Sequence, residues 1–322
     1  MWPPTLVVEF AFTTIAIAFQ RMKLLMRRSN SRSPGYGDSA VDGMVLTYGV
    51  LADLRFGFMG NASEMITDSR QNTNTGYTFA VQFLDLTLPT PAENLACDEV
   101  LLDLAEAGHA GEILRVWQPP EHFLVLGYSN KIRTEANLDQ ARHDGVPVLR
   151  RCTGGGSVLQ GPGCLNYSLI LRIPETGPLV HIRSTNEFIM EKHRQLLAPV
   201  VGNGIGTVCV QGHSDLTLGD LKFSGNAQRR RRQHLLFHGS FLRNLDVERV
   251  ERLLPLPSRE PTYRHHRPHK DFLVNLGVAG AKIQTALRRG WQADELFREL
   301  PVAKITALAA NQYLANDWIF KF

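Results

Sequence analysis

Cysteine is scarce. The 322 residues include four, Cys97, Cys152, Cys164 and Cys209, and no two form a Cys-x-x-Cys pair. That spacing argues against a secreted disulfide framework and against a structural zinc site. The set reads as that of a protein kept in a reducing compartment, the cytoplasm. No Gly-Lys-Ser/Thr follows a glycine cluster, so there is no Walker loop. "GNGIG" at Gly202–Gly206 comes after a helical pattern and before a strand, the reverse of a dinucleotide site, and reads as a turn. Charge of either sign is modest: 20% of residues are charged and the net charge is +4. This leaves room for an anionic substrate or partner but gives no nucleic-acid footprint. Internal repeats are absent. A secretory signal is missing as well. Residues 1–19, "MWPPTLVVEFAFTTIAIAF", are apolar, but the basic residues follow the run where a signal peptide places them before it. We read residues 1–77 as a largely unstructured extension or an over-extended start. A membrane anchor is the alternative, and the one feature that would bring a membrane into play.

What is present is enough for a core: 43% of residues are hydrophobic. The folded domain is expected from about Thr78 and to span 78–322. "TFAVQFLDL" alternates as a strand does, and "PTPAENLACDEVLLDLAEAG" carries a helix pattern with Pro91 in its first turn and Gly108 past its end. "EILRVWQ", "FLVLGYS", "VPVLRRC" and "GCLNYSLILRI" read as strands. "TEANLDQARHDG" reads as one helix, and "STNEFIMEKHRQLLAPVV" as a helix capped by Ser184 or Thr185. Further strands run from "TVCVQG" to "QHLLFHGSFLRN". "DVERVERLL" is a helix, and the last sixty or so residues read as mostly helical. Strands outnumber a βαβ rhythm and come partly as hairpins. The expected class is α+β, a mixed or antiparallel sheet flanked by helices.

Two stretches carry chemistry. "RRCTGGGSVLQ" places three glycines behind Arg150 and Arg151. Glycine lets backbone N–H groups approach a ligand, and successive N–H groups in a turn form an anion nest. The two guanidiniums add planar donors for phosphate or carboxylate. A glycine-rich surface turn is the plain alternative. The second stretch, "GHSDLTLGDLKFSGNAQRRRRQHLLFHGSF", holds Lys222 in an alternating strand, followed by small residues and then His238-Gly239. That pattern suits a narrow pocket containing one cation.

Together these motifs resemble the lipoate–protein ligase family, within the biotin/lipoyl ligase and octanoyltransferase superfamily. The resemblance runs from about Thr78 to Leu276. "NLACDE" is similar to the family's first-helix motif, and "RVW" with "VLGYSN" to its paired strands. "RRCTGGGSV" resembles its substrate loop, "GHSDL" its Gly-Arg-Asn-Asp-Leu, "LKFSGNAQ" its lysine segment and "FHGSF" its His-Gly-Thr/Ser. The resemblance implies a biotin/lipoyl ligase catalytic fold and a two-step reaction. Lipoate and Mg2+-bound ATP give lipoyl-adenylate, and a lysine of an acceptor domain then takes the lipoyl group. Lys222 is the implied catalytic residue, in an electrostatic role. Arg151, Gly154, Gly155, Gly156, Ser157, Val158 and Leu159 would bind the acyl and phosphate portions, with Gly225 and Ala227 beside them. Asp215 would position Lys222 or a magnesium ion. No protein-held metal site is expected. The implied partner is an acidic lipoyl domain of the 2-oxoacid dehydrogenase E2 or glycine-cleavage H protein type.

There are departures. Gln160-Gly161 stand where the family often has His-Asp, and His213-Ser214 replace Arg-Asn. Only a short helical end follows the resemblance, where longer ligases carry an accessory domain, which points to a separate accessory subunit. The alternative is an ATP-independent octanoyltransferase with Cys209, upstream of Lys222, as acyl-thioester nucleophile; a packed apolar Cys209 is the plain reading. A non-catalytic acyl-binding module is a third class. Cys152 and Cys164 are expected to pack. Arg229–Arg232 is expected to be a solvated face or a docking patch for the acidic acceptor, and "YRHHRPHKDF" surface or packing.

Overall fold

The computed structural model describes residues 80–202 and 206–322. The extension 1–77 and the middle of "GNGIG" lie outside the described residues. Strands β1 (Val81–Asp85), β2 (Glu112–Trp117), β6 (Cys164–Arg172), β7 (Val208–Gln211), β8 (Asp215–Leu218), β9 (Leu221–Arg230) and β10 (His234–Leu242) form a seven-stranded sheet in the order β1-β2-β6-β10-β9-β8-β7. Only β1 and β2 pair in parallel; the other neighbours are antiparallel. Strands β3 (Phe123–Leu126), β4 (Val148–Arg150) and β5 (Val158–Gln160) form a second sheet in the order β4-β3-β5. Helices are α1 (Pro91–Glu106), α2 (Ile132–Glu135), α3 (Leu138–His143), α4 (Ile182–Val201), α5 (Val247–Leu253), α6 (His269–Phe272), α7 (Gly280–Gly290), α8 (Val302–Leu308) and α9 (Asn316–Ile319). The expected α+β class, with a mostly antiparallel sheet flanked by helices, is what is observed.

Alternation decides which face of the large sheet carries the site. On β6 the side chains of Leu165, Tyr167, Leu169 and Leu171 join one apolar cluster, with Leu114 and Val116 of β2 and Phe237 and Phe241 of β10. Helices α4 and α7 cover that face and pack on each other. The intervening residues turn to the opposite face. Two cross-strand rows result: Arg115–Ser168–His238–Ala227, and Trp117–Asn166–Ser240–Gly225. A period-2 pattern with polar residues on a buried strand thus delivers polar groups to one face.

Helix α1 lies against this second face. Pro91 stands in the first turn, as the sequence pattern anticipates, and Thr90 and Glu93 add a capping box. Three expectations are corrected. The segment 134–145 is not one helix: it breaks between α2 and α3, where Asn137 caps α3 by accepting from the Gln140 N–H at 3.2 Å and donates its own N–H to the Leu253 carbonyl. Helix α4 begins at Ile182, one turn earlier than expected, with His181 at the cap position and no side-chain cap. The C-terminal end is less helical than expected. Residues 291–301 are largely irregular, and Leu296 bridges Phe83 in parallel at the edge of the large sheet.

Candidate active site

The glycine loop connects β4 to β5 and therefore crosses the end of β3, which lies between them. Contact with β3 is close. A Cβ at Gly127 would stand 2.0 Å from the Gly155 carbonyl oxygen, so the glycine of "VLGYSN" is what lets the loop sit down. Gly155 itself has φ +87°, and a Cβ there would meet Arg151 Nη2 at 2.9 Å. Gly154 and Gly156 have nothing within 4 Å of their Cβ positions, so their backbone borders open space.

The arginine pair acts differently from expectation. Arg151 Nη2 donates to the carbonyls of Gly154 (2.5 Å) and Gly156 (2.8 Å), and its Nε to Thr153 Oγ1 (2.9 Å). Arg150 donates to the carbonyls of Gly127, Tyr128 and Asn130 and, at the C-terminus, to those of Trp318 and Ile319. Both side chains are buried, and buried N–H groups must be satisfied. These guanidiniums are committed to folding the loop, not offered as free donors for a ligand's anionic end. Burial lowers the Arg151 pKa to about 10, so at neutral pH it still contributes its charge from beneath the loop.

Opposite the loop stands β9. Lys222 Nζ lies 2.9 Å from Asp215 Oδ1. A Cβ at Gly225 would be 3.0 Å from Lys222 Cε and Nζ, so this glycine gives the ammonium room to lie across the strand. Ala227 approaches Gly155 from the same strand. Asp215 Oδ2 accepts a hydrogen bond from the Tyr263 hydroxyl at 2.8 Å. Both carboxylate oxygens are thus engaged by the protein. Among the described residues no group of three or more His, Cys, Asp or Glu is arranged to hold a metal ion. Of the two uses expected for Asp215, the geometry matches the positioning of Lys222.

Glycine loop, Lys222 and Asp215 border one cavity of about 660 Å³. Arg151, Ser157, Val158 and Leu159 line it too, as do Gly225 and Ala227. One part of its wall is apolar, including Leu95, Trp117, Val125, Leu245, Leu254 and Phe272. A size of this order suits a small-molecule ligand.

A buried polar chain supports the loop from below. Arg115 Nη1 donates to Asp98 Oδ1 (2.7 Å), Ser168 donates to Asp98 Oδ2 (2.7 Å), and His238 Nδ1 lies 3.2 Å from that same oxygen. His238 Nε2 is 2.7 Å from Thr153 Oγ1, which also receives Arg151 Nε. Burial opposes the charge of Asp98, but Arg115, His238 and Ser168 together hold its pKa below the ordinary carboxylate value. "NLACDE", "RVW", "FHGSF" and the glycine loop, far apart in sequence, meet in this one network. Asp98, His238 and Thr153 had no role assigned from the sequence, although all three sit inside the motifs quoted for it. Tyr263 gave no signal, being in a histidine-rich stretch read as surface or packing.

Cys209 does not line the cavity. It sits half-buried on edge strand β7, where it pairs with Thr217, which pairs with Lys222. Cys97, Cys152 and Cys164 are buried, and burial pushes each thiol up to about 12. Arg232 is exposed, whereas Arg229, Arg230 and Arg231 are half-buried and have protein partners, so the run is not wholly the solvated face that was one expectation for it. Arg231 pairs with Asp103 at 2.6 Å, Arg229 donates to the Cys152 carbonyl, and Arg230 donates to those of Leu179 and Val180. The run braces β9 to its surroundings. His266 pairs with Glu260 at 2.7 Å, while His269 is buried against the Pro255 carbonyl.

Comparison with known proteins identifies the family to which this fold belongs. A curated protein of Aeropyrum pernix, named provisionally as a lipoate-protein ligase A, is 34% identical over 169 residues, 51% of this chain and 58% of that protein. Octanoyltransferase LipM of Carboxydothermus hydrogenoformans is 25% identical over 75% of this chain and 98% of its own length. Among solved structures, the bi-partite lipoate protein ligase of Thermoplasma acidophilum, described with its E2 lipoyl domain, superposes with a TM-score of 0.62 at 21% identity, over 76% of this chain and 97% of that one. A lipoate-protein ligase A bound with ATP gives 0.60 at 20% identity, over 76% and 99%. At such identities the structures speak to the fold. The family model for the lipoyl protein ligase A/B catalytic domain matches residues 90–284, a span that holds the glycine loop, Lys222, Asp215 and the Asp98–His238 network, and the chain belongs to that family.

Proposed function

We propose that the protein is an ATP-dependent lipoate–protein ligase. One observation carries the reading: the Lys222 ammonium and the open backbone of the glycine loop face one cavity, and no cysteine lines it. In the first step a lipoate carboxylate oxygen attacks the α-phosphorus of ATP and pyrophosphate leaves. In the second, the amine of the acceptor lysine attacks the acyl carbon, AMP leaves, and the amine gives up a proton. Lys222 stays charged and stabilises negative charge on the carboxylate and phosphate oxygens, held in place by Asp215. The apolar wall takes the acyl chain. Gly154–Leu159 border the acyl and phosphate portions, and Arg151 supports them by folding the loop. Asp215 is occupied by Lys222 and Tyr263, so Mg2+ would arrive on the nucleotide phosphates and not in a protein-built site. The acceptor is an acidic lipoyl domain of the E2 or H protein type. The E2 lipoyl domain named with the Thermoplasma ligase supports this class, and that ligase's bi-partite nature supports a separate accessory subunit. We place the reaction in the cytoplasm; among the described residues no helix is long and apolar enough to cross a membrane.

A second reading has its own support. The match to LipM spans nearly that protein's whole length. An ATP-independent octanoyltransferase would use Cys209 as nucleophile, two strands from Lys222. The two are separated by donor. The chain is incubated with lipoate, Mg2+, ATP and an apo lipoyl domain, or with octanoyl–acyl carrier protein and the same domain, and the acceptor mass is read. The ligase reading expects an ATP-dependent lipoyl shift that survives Cys209→Ala. An octanoyl shift without ATP, lost in Cys209→Ala, would overturn it.

A further inference from the structure

We propose that Tyr263 is a positioning residue for Lys222, acting through Asp215. The inference rests on the role given above to Lys222. A carboxylate that meets an ammonium through one oxygen remains free to swing about its terminal torsion. Asp215 is not left so: Oδ1 meets Lys222 at 2.9 Å while Oδ2 accepts from the Tyr263 hydroxyl at 2.8 Å. The carboxylate is held at both ends.

Tyr263 is itself fixed for this task. It occupies a 3-10 turn, Thr262–Arg264, within the connection between α5 and α6, a connection that walls the cavity through Pro255, Pro257, Arg259 and Pro261. Its backbone carbonyl receives Arg267 Nη2 at 2.9 Å. Its ring packs on Phe272 at 5.3 Å between centroids. Gly212, a glycine at φ +59°, also lies beside the ring, its Cβ position 3.4 Å from Tyr263 Cε1. The phenol is buried beside a carboxylate, and burial first, then Asp215, raises its pKa, so it remains a donor across the physiological range. The hydroxyl therefore ties a loop of the cavity wall to the carboxylate that holds the cavity's lysine.

The test uses Tyr263→Phe, Asp215→Asn and the double variant, in the full chain. Tyr263→Phe keeps the ring and removes only the hydroxyl. Two readouts are taken. The first is the rate at which acetic anhydride labels Lys222, measured by peptide mass spectrometry without any substrate. Loss of the tether frees Asp215, leaves the ammonium without a fixed partner, and should raise labelling several-fold, towards the Asp215→Asn rate; the double variant should label no faster than Asp215→Asn. The second is acyl transfer: kcat should fall about tenfold, the scale of one lost hydrogen bond, with KM for the acyl donor within about twofold, and the loss should vanish in the Asp215→Asn background. Labelling of Tyr263→Phe at the wild-type rate, or additive effects in the double variant, would overturn the proposal and leave Tyr263 a packing residue. If the wild-type chain transfers no acyl group, the functional reading falls while the labelling comparison still decides the role of Tyr263.

Discussion

Asp98 lies out of water, in contact with Arg115, Ser168 and His238. Its charge persists because these partners outweigh the cost of burial. Its folded pKa lies below the ordinary 3.8, so the stability it contributes is full above that value and is lost as pH falls from it through the lower folded pKa. Asp98→Asn should leave Arg115 buried without its counter-charge and cost about 3–5 kcal/mol near neutral pH. It should also flatten the acid limb: urea denaturation between about pH 5 and pH 2 should show wild-type stability falling more steeply than that of the variant. Parallel curves would show that Asp98 is not the ionised centre of the network. Residues differ in how much of this the sequence displays. Lys222 is legible, since a cation followed by Ser-Gly-Asn-Ala in an alternating strand has few plain explanations. Tyr263 is not, because its meaning depends on a loop crossing back to Asp215, and no local pattern encodes that path.

The glycine loop is the element on which the account turns. It is shaped by its own arginine: Arg151 gathers the carbonyls of Gly154 and Gly156, and Gly155 must be glycine because of its φ and its distance to Arg151 Nη2. Gly155→Ala should cost about 1–2 kcal/mol for the left-handed backbone and push Arg151 aside. The fold should survive, with thermal unfolding a few degrees lower, while the KM for the acyl donor rises tenfold or more. A variant with unchanged KM would show that the loop does not border the substrate. Elements with strong local rules were legible: α1 through Pro91 in its first turn and Gly108 past its end, and β1 through its alternation. The break before α3 was not, because the Asn137 N–H bonds to the Leu253 carbonyl, a tertiary partner. The pairing within the arginine run was not legible for a similar reason. Charge in a row suggests a solvated face, but α1 supplies Asp103 and Glu99 across from it.

At the scale of the molecule, the large sheet separates two jobs. One face is closed by α4 and α7 over one apolar cluster; the other receives the polar rows, the small sheet and α1, with a second apolar cluster, and carries the cavity. The C-terminal end belongs to this second side. Tyr313 donates to Glu99, Trp318 Nε1 to the Arg150 carbonyl, and Lys321 to the Tyr128 hydroxyl, so the last residues brace the loop that crosses β3. The family was legible from the order of the motifs, and the reason is now physical: each motif supplies one member of a shared network or one wall of a shared cavity. The donor was not legible, because Lys222 and the glycine loop suit acyl-adenylate and acyl-thioester chemistry alike. The central claim, that this cavity transfers an acyl group to an acceptor lysine with Lys222 as its electrostatic centre, is tested most directly by acceptor mass. Wild-type chain and Lys222→Met are each given lipoate, Mg2+, ATP and an apo lipoyl domain, and the rate of the acyl mass shift is measured. The account predicts modification by the wild type and a loss of about 10²–10³-fold in Lys222→Met, with both chains folded at the assay temperature; equal rates for the two chains would contradict it.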